Sequence, residues 1–283
     1  MTAAQSLTPS PTSAPGGETM AERLAVLRAK QEAAYASGGP EGLRRDRESG
    51  RLPVRERIDL LVDQDSWFEI GGLALPELRR EKPIPGDAVV IGFGLLDGRR
   101  IGVIGFDSSV VAGTTAPVSM RRQGWLIEHA QRRGFPLVLL CDADGGRMPD
   151  VSGWRFCGLP LDFTTFLGPP PGLPVVPRAA AVLGPSYGDS ALHASTAHFV
   201  VLVRSGSIAL SGPSVVEPAI GEKVSGGELG GPAAATEELT AEWISEAEPW
   251  EAAAHLSLDD VIEPGRTREV VAASIDIALG GRL

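Results

Sequence analysis

Two glycine turns, each closing an apolar run, constrain this chain more than any other feature. Asp142-Ala143-Asp144-Gly145-Gly146-Arg147 follows the run 136–141, and Gly184-Pro185-Ser186-Tyr187-Gly188 follows 179–183. Residues 190–198 after the second turn read as a helix, and 199–203 as the next strand. An amphipathic segment, 119–133, precedes the first unit. Repeated strand–turn–helix units of this size predict an α/β fold with helices packed around a sheet. Backbone N–H groups at such turns point outward and can hold an oxyanion, more so with a helix dipole behind them. On spacing alone, glycine that merely ends a strand is the simpler reading.

The rest of the chain fits around these units. Residues 1–18 are rich in Ser, Thr, Pro, Ala and Gly without an apolar period, which predicts a disordered tail. Residues 20–36 have helical spacing and stop at Ser37-Gly38-Gly39-Pro40; 54–62 read as a second helix introduced by Pro53. Strands are expected at 88–93 and 100–106, joined by the turn Leu96-Asp97-Gly98-Arg99. A short strand is expected at 208–210 and a final helix at 266–279. The proline-rich stretch 168–177 reads as a stiff linker or an inserted loop.

Composition narrows the function classes. A chain of 283 residues, 43% hydrophobic, can bury one substantial core or two small ones. Its net charge of −10 argues against a general nucleic-acid binder. Mean hydropathy is near zero, and no apolar run approaches the ~20 residues of a membrane span. No secretory signal pattern opens the sequence, and two cysteines, Cys141 and Cys157, are too few for a disulfide framework. A reducing, cytoplasmic setting is the simplest expectation. His129, His193, His198 and His255 lack metal-like pairing, and no G-x-S-x-G elbow is present. Gly92-Phe93-Gly94 lacks the third glycine of a dinucleotide fingerprint.

Several segments resemble, in order, the carboxyltransferase subunits of biotin-dependent acyl-CoA carboxylases such as propionyl-CoA carboxylase β. The stretch from Arg51-Leu52-Pro53-Val54-Arg55-Glu56-Arg57 to Asp63 is similar to the family's "GKLTARERIDLLLD", and Pro85-Gly86-Asp87-Ala88-Val89-Val90 to "PGDGVV". Asp107 to Thr114 is similar to "DFTVFGGS", the first glycine turn to "DSGGAR" and the second, loosely, to "GPCAGG". Ser211-Gly212-Pro213-Ser214-Val215-Val216 resembles "TGPDVV", and Gly227-Glu228-Leu229-Gly230-Gly231 resembles "EELGG".

The resemblance implies a crotonase-like ββα spiral that binds acyl-CoA and steadies its enolate with backbone amides. Carried over by position, Gly145 and Gly146 supply those amides. Ala112, Gly113 and Thr114 border the pantetheine. Arg147 and the loop Gly184, Pro185, Ser186, Tyr187 and Gly188 complete the substrate-binding set. Biotin on a separate carrier protein would bring or remove the carboxyl group. The implied partners are the acyl-CoA, a biotin carboxyl carrier or biotin carboxylase, and a second carboxyltransferase subunit, in a homo- or hetero-oligomer.

Three departures accompany the resemblance. Asp144 puts a carboxylate beside the glycine pair, Asp189 stands where the family is small, and Ala235 aligns with a family histidine. In addition, residues 258–268 resemble the close of the family's second domain ("DDVIEPSETR"), so 19–240 read as N-domain-like and 241–283 as a C-domain-like tail of one domain. Carboxyl transfer is the leading expectation. Biotin-independent decarboxylation of a malonyl-type thioester and a non-catalytic partner subunit are the alternatives.

Overall fold

A computed structural model of the chain describes residues 19–78, 84–151, 172, 174–212, 253 and 258–280. Its elements are α1 (Met20–Tyr35), α2 (Gly39–Glu48), α3 (Val54–Leu61), β1 (Phe68–Ile70), β2 (Val89–Leu96), β3 (Arg99–Phe106), α4 (Pro117–Arg133), β4 (Leu137–Ala143), α5 (Met148–Val151), β5 (Arg178–Tyr187), α6 (Asp189–Ser195), β6 (Phe199–Val203), β7 (Ser207–Ala209), β8 (Asp260–Ile262) and α7 (Thr267–Ala278). The expected tail, most of the proline-rich stretch and the 227–231 motif lie outside the described residues.

The strands form one mixed sheet in the order β1-β2-β3-β4-β5-β6-β8, with β7 beside β5. β1, β2 and β3 are antiparallel, and every pairing from β3 onward is parallel. The β2–β3 hairpin turns on Asp97 and Gly98, both at positive φ, as a two-residue turn matched to strand twist requires. The Asp63 carboxylate accepts both turn amides, at 3.1 and 2.8 Å.

Alternation along β4 decides what each face meets. Leu137, Leu139, Cys141 and Ala143 pack with Met120, Leu126, Ile127 and Ala130 of α4. Val138 and Leu140 pack in the opposite core with Val54, Ile58 and Leu61 of α3 and Val271 and Ile275 of α7. Burial on both faces is what a central parallel strand with an unbroken apolar run should show. The same alternation turns the next even position, Asp142, toward α3.

Three elements differ from the sequence reading. The stop at residues 37–40 is also a start: Gly39 has φ +67, and Pro40 opens α2, where its missing N–H costs nothing. The second glycine turn is mostly strand, since β5 runs through Gly184, Pro185, Ser186 and Tyr187 and only Gly188 turns. The ladder with β4 steps from Cys141↔Val182 to Ala143↔Ser186. That irregularity absorbs Gly184 and Pro185, and proline is tolerated in a strand where the ladder is already broken. Finally, residues 260–262 add a strand, β8, beside β6, which places the C-domain-like segment in the same sheet as the glycine turns.

Candidate active site at the Gly145–Gly146 turn

At the end of β4 the chain is zipped to the loop that follows β3. Asp144 N–H donates to Ala112 O (3.0 Å), Thr115 N–H to Gly145 O (2.9 Å) and Arg147 N–H to Thr115 O (2.7 Å). Bonds on both sides of Gly146 fix Thr115 opposite it as a parallel bridge, which leaves the N–H of Gly146 pointing away from Thr115. Neither the Gly145 nor the Gly146 amide donates to a described residue. Across from them lies Gly188, the turn into α6, with φ 59 and ψ −126. A Cβ on Gly188 would stand 2.8 Å from Gly145 Cα and 3.3 Å from Gly146 N. The two glycine turns therefore meet backbone to backbone, bringing Gly145, Gly146 and Gly188 together.

The loop opposite is strained. Val111, Ala112 and Gly113 have φ of 45, 53 and 71, a conformation costly for a β-branched residue. Gly113 is obligatory, since a Cβ there would lie 2.6 Å from Asp142 O. Ala112 is exposed, Thr114 is half-buried, and the Thr114 hydroxyl donates to Val111 O (2.7 Å).

Four of the predicted residues make internal contacts. Arg147 is buried; its guanidinium donates to Asp87 (2.6 Å), to the Thr114 hydroxyl (3.2 Å) and to Thr114 O. It braces the loop from inside. Gly184, expected to line the site, instead makes room for a carboxylate: a Cβ there would overlap Asp142. Ser186 is buried with its hydroxyl 2.8 Å from that of Ser190, and Tyr187 is buried with its hydroxyl 3.2 Å from Ser207.

Four supporting residues escaped the sequence reading as a set: Asp87, Asp142, Gln123 and, in its actual role, Asp189. Asp87 is fully buried and accepts from Arg147 and from Ala116 N–H (3.0 Å), stapling the α4 entry to the glycine turn. Burial pushes its carboxyl up, opposed by Arg147. Asp142 is gripped by Arg51 (2.9 Å) and Arg57 (2.8 Å), and the Ser108 hydroxyl lies 3.2 Å away. Asp189 accepts from the Thr115 hydroxyl (3.1 Å) and Gln123 Nε2 (3.3 Å), and Gln123 Oε1 meets His193 Nε2 at 2.8 Å. No sequence signal marks these pairs, because the partners stand 29 to 91 residues apart.

Burial pushes the Asp189 carboxyl up to about 6, with the bonds from Gln123 and Thr115 resisting. Between its ordinary value of 3.8 and about 6 the folded protein therefore holds a proton that the unfolded chain has released. Stability contributed by this group falls as pH rises through that window. Asp189→Asn is expected to gain on the wild type by roughly 1–2 kcal/mol between pH 5 and pH 7. Urea unfolding of both proteins at the two pH values measures it, and parallel changes would refute it. Burial also pushes the Cys141 thiol up to about 12 and His193 down to about 3, so neither is an ionised nucleophile or acid near neutrality. Asp144 is half-buried, and burial together with nearby Asp142 pushes its carboxyl up. Among the described residues no His, Cys, Asp or Glu cluster could hold a metal, and no helix is long and apolar enough to cross a membrane.

Residues 45–238 match the carboxyl transferase domain model. The chain belongs to the carboxyl transferase family. Among curated relatives it is 30% identical over 216 residues to a putative propionyl-CoA carboxylase beta chain of Bacillus subtilis, covering 75% of this chain and 41% of that one. It is 33% identical over 217 residues to the biotin-dependent long chain acyl-coenzyme A carboxylase beta4 subunit of Mycobacterium tuberculosis, covering 75% and 40%. The chain thus spans about two-fifths of these relatives' length. Among solved structures, transcarboxylase 12S aligns with a TM-score of 0.70 at 22% identity, over 92% of this chain and 48% of that one. The MdcD–MdcE heterodimer of Pseudomonas malonate decarboxylase aligns at 0.55 and 18%, over 80% and 86%. The α/β, crotonase-like fold expected from the family resemblance is the fold these carboxyl transferase structures share with this chain.

Proposed function

We propose that this carboxyl transferase domain binds an acyl-CoA and stabilises the enolate formed when a carboxyl group joins or leaves its α-carbon. The observation that carries the reading is the pair of amides at Gly145 and Gly146, without a partner among the described residues, facing the bare backbone of Gly188. A thioester oxygen seated there gains two N–H donors as its charge develops, and the Gly146 donor is already oriented by the Thr115 bridge. The loop at Ala112, Gly113 and Thr114, exposed at Ala112, lies on the Asp144 side of the turn and borders the pantetheine. Arg147, Asp87 and Asp189 hold the two loops in place; they position and do not react.

The chemistry of the surrounding groups fits a carboxyl carrier supplied from outside. Cys141 is locked as a thiol and Arg147 is committed internally. Biotin on a separate carrier protein, when docked, supplies or takes up the carboxyl group. Such a reaction brings together a carrier, an acyl-CoA and a second carboxyltransferase subunit or copy, so we place the chain in an oligomeric complex. Calorimetric titration of the protein with propionyl-CoA and with free CoA tests the reading. Tighter binding of the thioester is expected, and no heat from either with the fold intact would sink it.

Asp144 favours a second reading, decarboxylation without biotin. Its carboxyl is pushed up, follows Ala143 directly at the amide pair, and forms no side-chain hydrogen bond with a described residue. A carboxyl that holds its proton more tightly than usual can, beside an enolate, deliver the proton that decarboxylation requires. On this reading Asp144→Asn slows CO2 release from malonyl-CoA by about 10²-fold or more with acyl-CoA affinity unchanged. On the carboxyl-transfer reading the same substitution leaves transfer to biotin intact.

A further inference from the structure

A cavity of about 260 Å³ opens on the α3–α7 side of the sheet, lined by residues none of which belongs to the glycine turns. It is slightly smaller than the ~300 Å³ at which ordinary ligand pockets begin. Leu52, Leu60, Leu140 and Leu183 supply apolar wall; Arg51, Arg57 and Arg268 supply its charge, the last already paired with Asp63 and Asp97. Arg57 is 9% exposed. Its Nη2 serves Asp142, while Nη1 is buried without a partner among the described residues. Arg51 repeats the pattern: Nη1 and Nη2 serve Asp142 and Asp46, and Nε is buried without one. Buried guanidinium donors are rarely left unmade, and both belong to residues that line this cavity, so a small turn of either guanidinium would offer them to an acceptor inside it. Burial pushes the Asp46 carboxyl up, opposed by the Ser108 hydroxyl and Arg51.

We infer that this cavity is a ligand site for a small carboxylate bearing a short apolar chain, its head on Arg57 and Arg51 and its tail among the leucines. A planar carboxylate suits two guanidinium edges better than a tetrahedral anion does, and the leucine walls give an inorganic anion nothing to bury. Arg57 and Arg51 also hold Asp142, one residue before Ala143 at the strand end, so the site sits directly behind the glycine turn.

Titration of the full-length protein with hexanoate, hexanol and inorganic phosphate, followed by calorimetry and thermal unfolding, tests the assignment. Hexanoate is expected to bind saturably and raise the melting midpoint, at least tenfold tighter than hexanol or phosphate. Ser205→Trp and Leu52→Glu, at exposed rim positions, should abolish that binding by filling the mouth or repelling the head group. Both should leave propionyl-CoA binding, or its absence, as in the wild type. Arg57→Lys should weaken hexanoate at least tenfold if it folds, and the rim variants decide the matter if it does not. Three results would each overturn the inference: no hexanoate binding, equal binding of hexanol or phosphate, or undiminished binding to both rim variants.

Discussion

Gly188→Ala is expected to destabilise the protein by about 3 kcal/mol and to cut any acyl-CoA turnover by about 100-fold. The clash is steric on two counts. The residue sits at φ 59 and ψ −126, a region closed to side-chain-bearing residues. Its added methyl would also stand 2.8 Å from Gly145 Cα, where neither atom belongs to a flexible side chain. The two turns must part, and the Gly145 and Gly146 amides move with them. Displacement on the order of 1 Å is enough to spoil a preorganised donor pair. A melting midpoint lower by roughly 6–12 °C would register the stability loss. Gly124→Ala is the control: a Cβ there meets nothing within 4 Å in the middle of α4, so it should be neutral or gain up to about 1 kcal/mol. Equal behaviour of the two variants would contradict the packing described for the turns.

Asp142→Ala should cost about 3–5 kcal/mol, because removing one partner of a buried ion cluster strands the other charges. Arg57 is nearly enclosed and Arg51 has only 19% of its side chain exposed, so neither guanidinium can turn to solvent without opening α3 or the chain before it. Asp142→Asn keeps the volume and one acceptor and should cost less. Urea unfolding of the three proteins gives the ranking, and an alanine variant within about 1 kcal/mol of wild type would show that the cluster is not held as described. Asp142 also explains Gly184, whose missing side chain leaves room for the carboxylate.

Much of this fold was readable from residue patterns. Strands β2, β3, β4 and β6 are rich in Val, Ile and Leu, and no helical period competes with them. α4 was recognisable from its amphipathic stripe, although its start lies two residues earlier at Pro117. Readings failed where one residue serves two purposes. Gly39-Pro40 ends α1 and begins α2, and Gly184-Pro185 looks like a turn yet lies within a strand at a ladder irregularity. The glycine pair itself was legible because backbone geometry leaves a trace in composition. The Asp87–Arg147 and Asp142–Arg57 pairs left none, since 60 and 85 residues separate the partners. Asp144 and Asp189 look alike as intrusions beside a glycine turn, yet only Asp189 is tied down, by Thr115 and Gln123.

The account turns on whether the Gly145–Gly146 turn handles the carboxyl of an acyl thioester. Malonyl-CoA labelled in its free carboxyl, incubated with the purified protein with and without a biotinylated carrier, tests this most directly. Loss of the label from the thioester, to biotin or as CO2, is the predicted result, and it should disappear in Gly188→Ala while persisting in Gly124→Ala. Label that stays on malonyl-CoA under both conditions, with the protein folded and the thioester bound, would contradict the account.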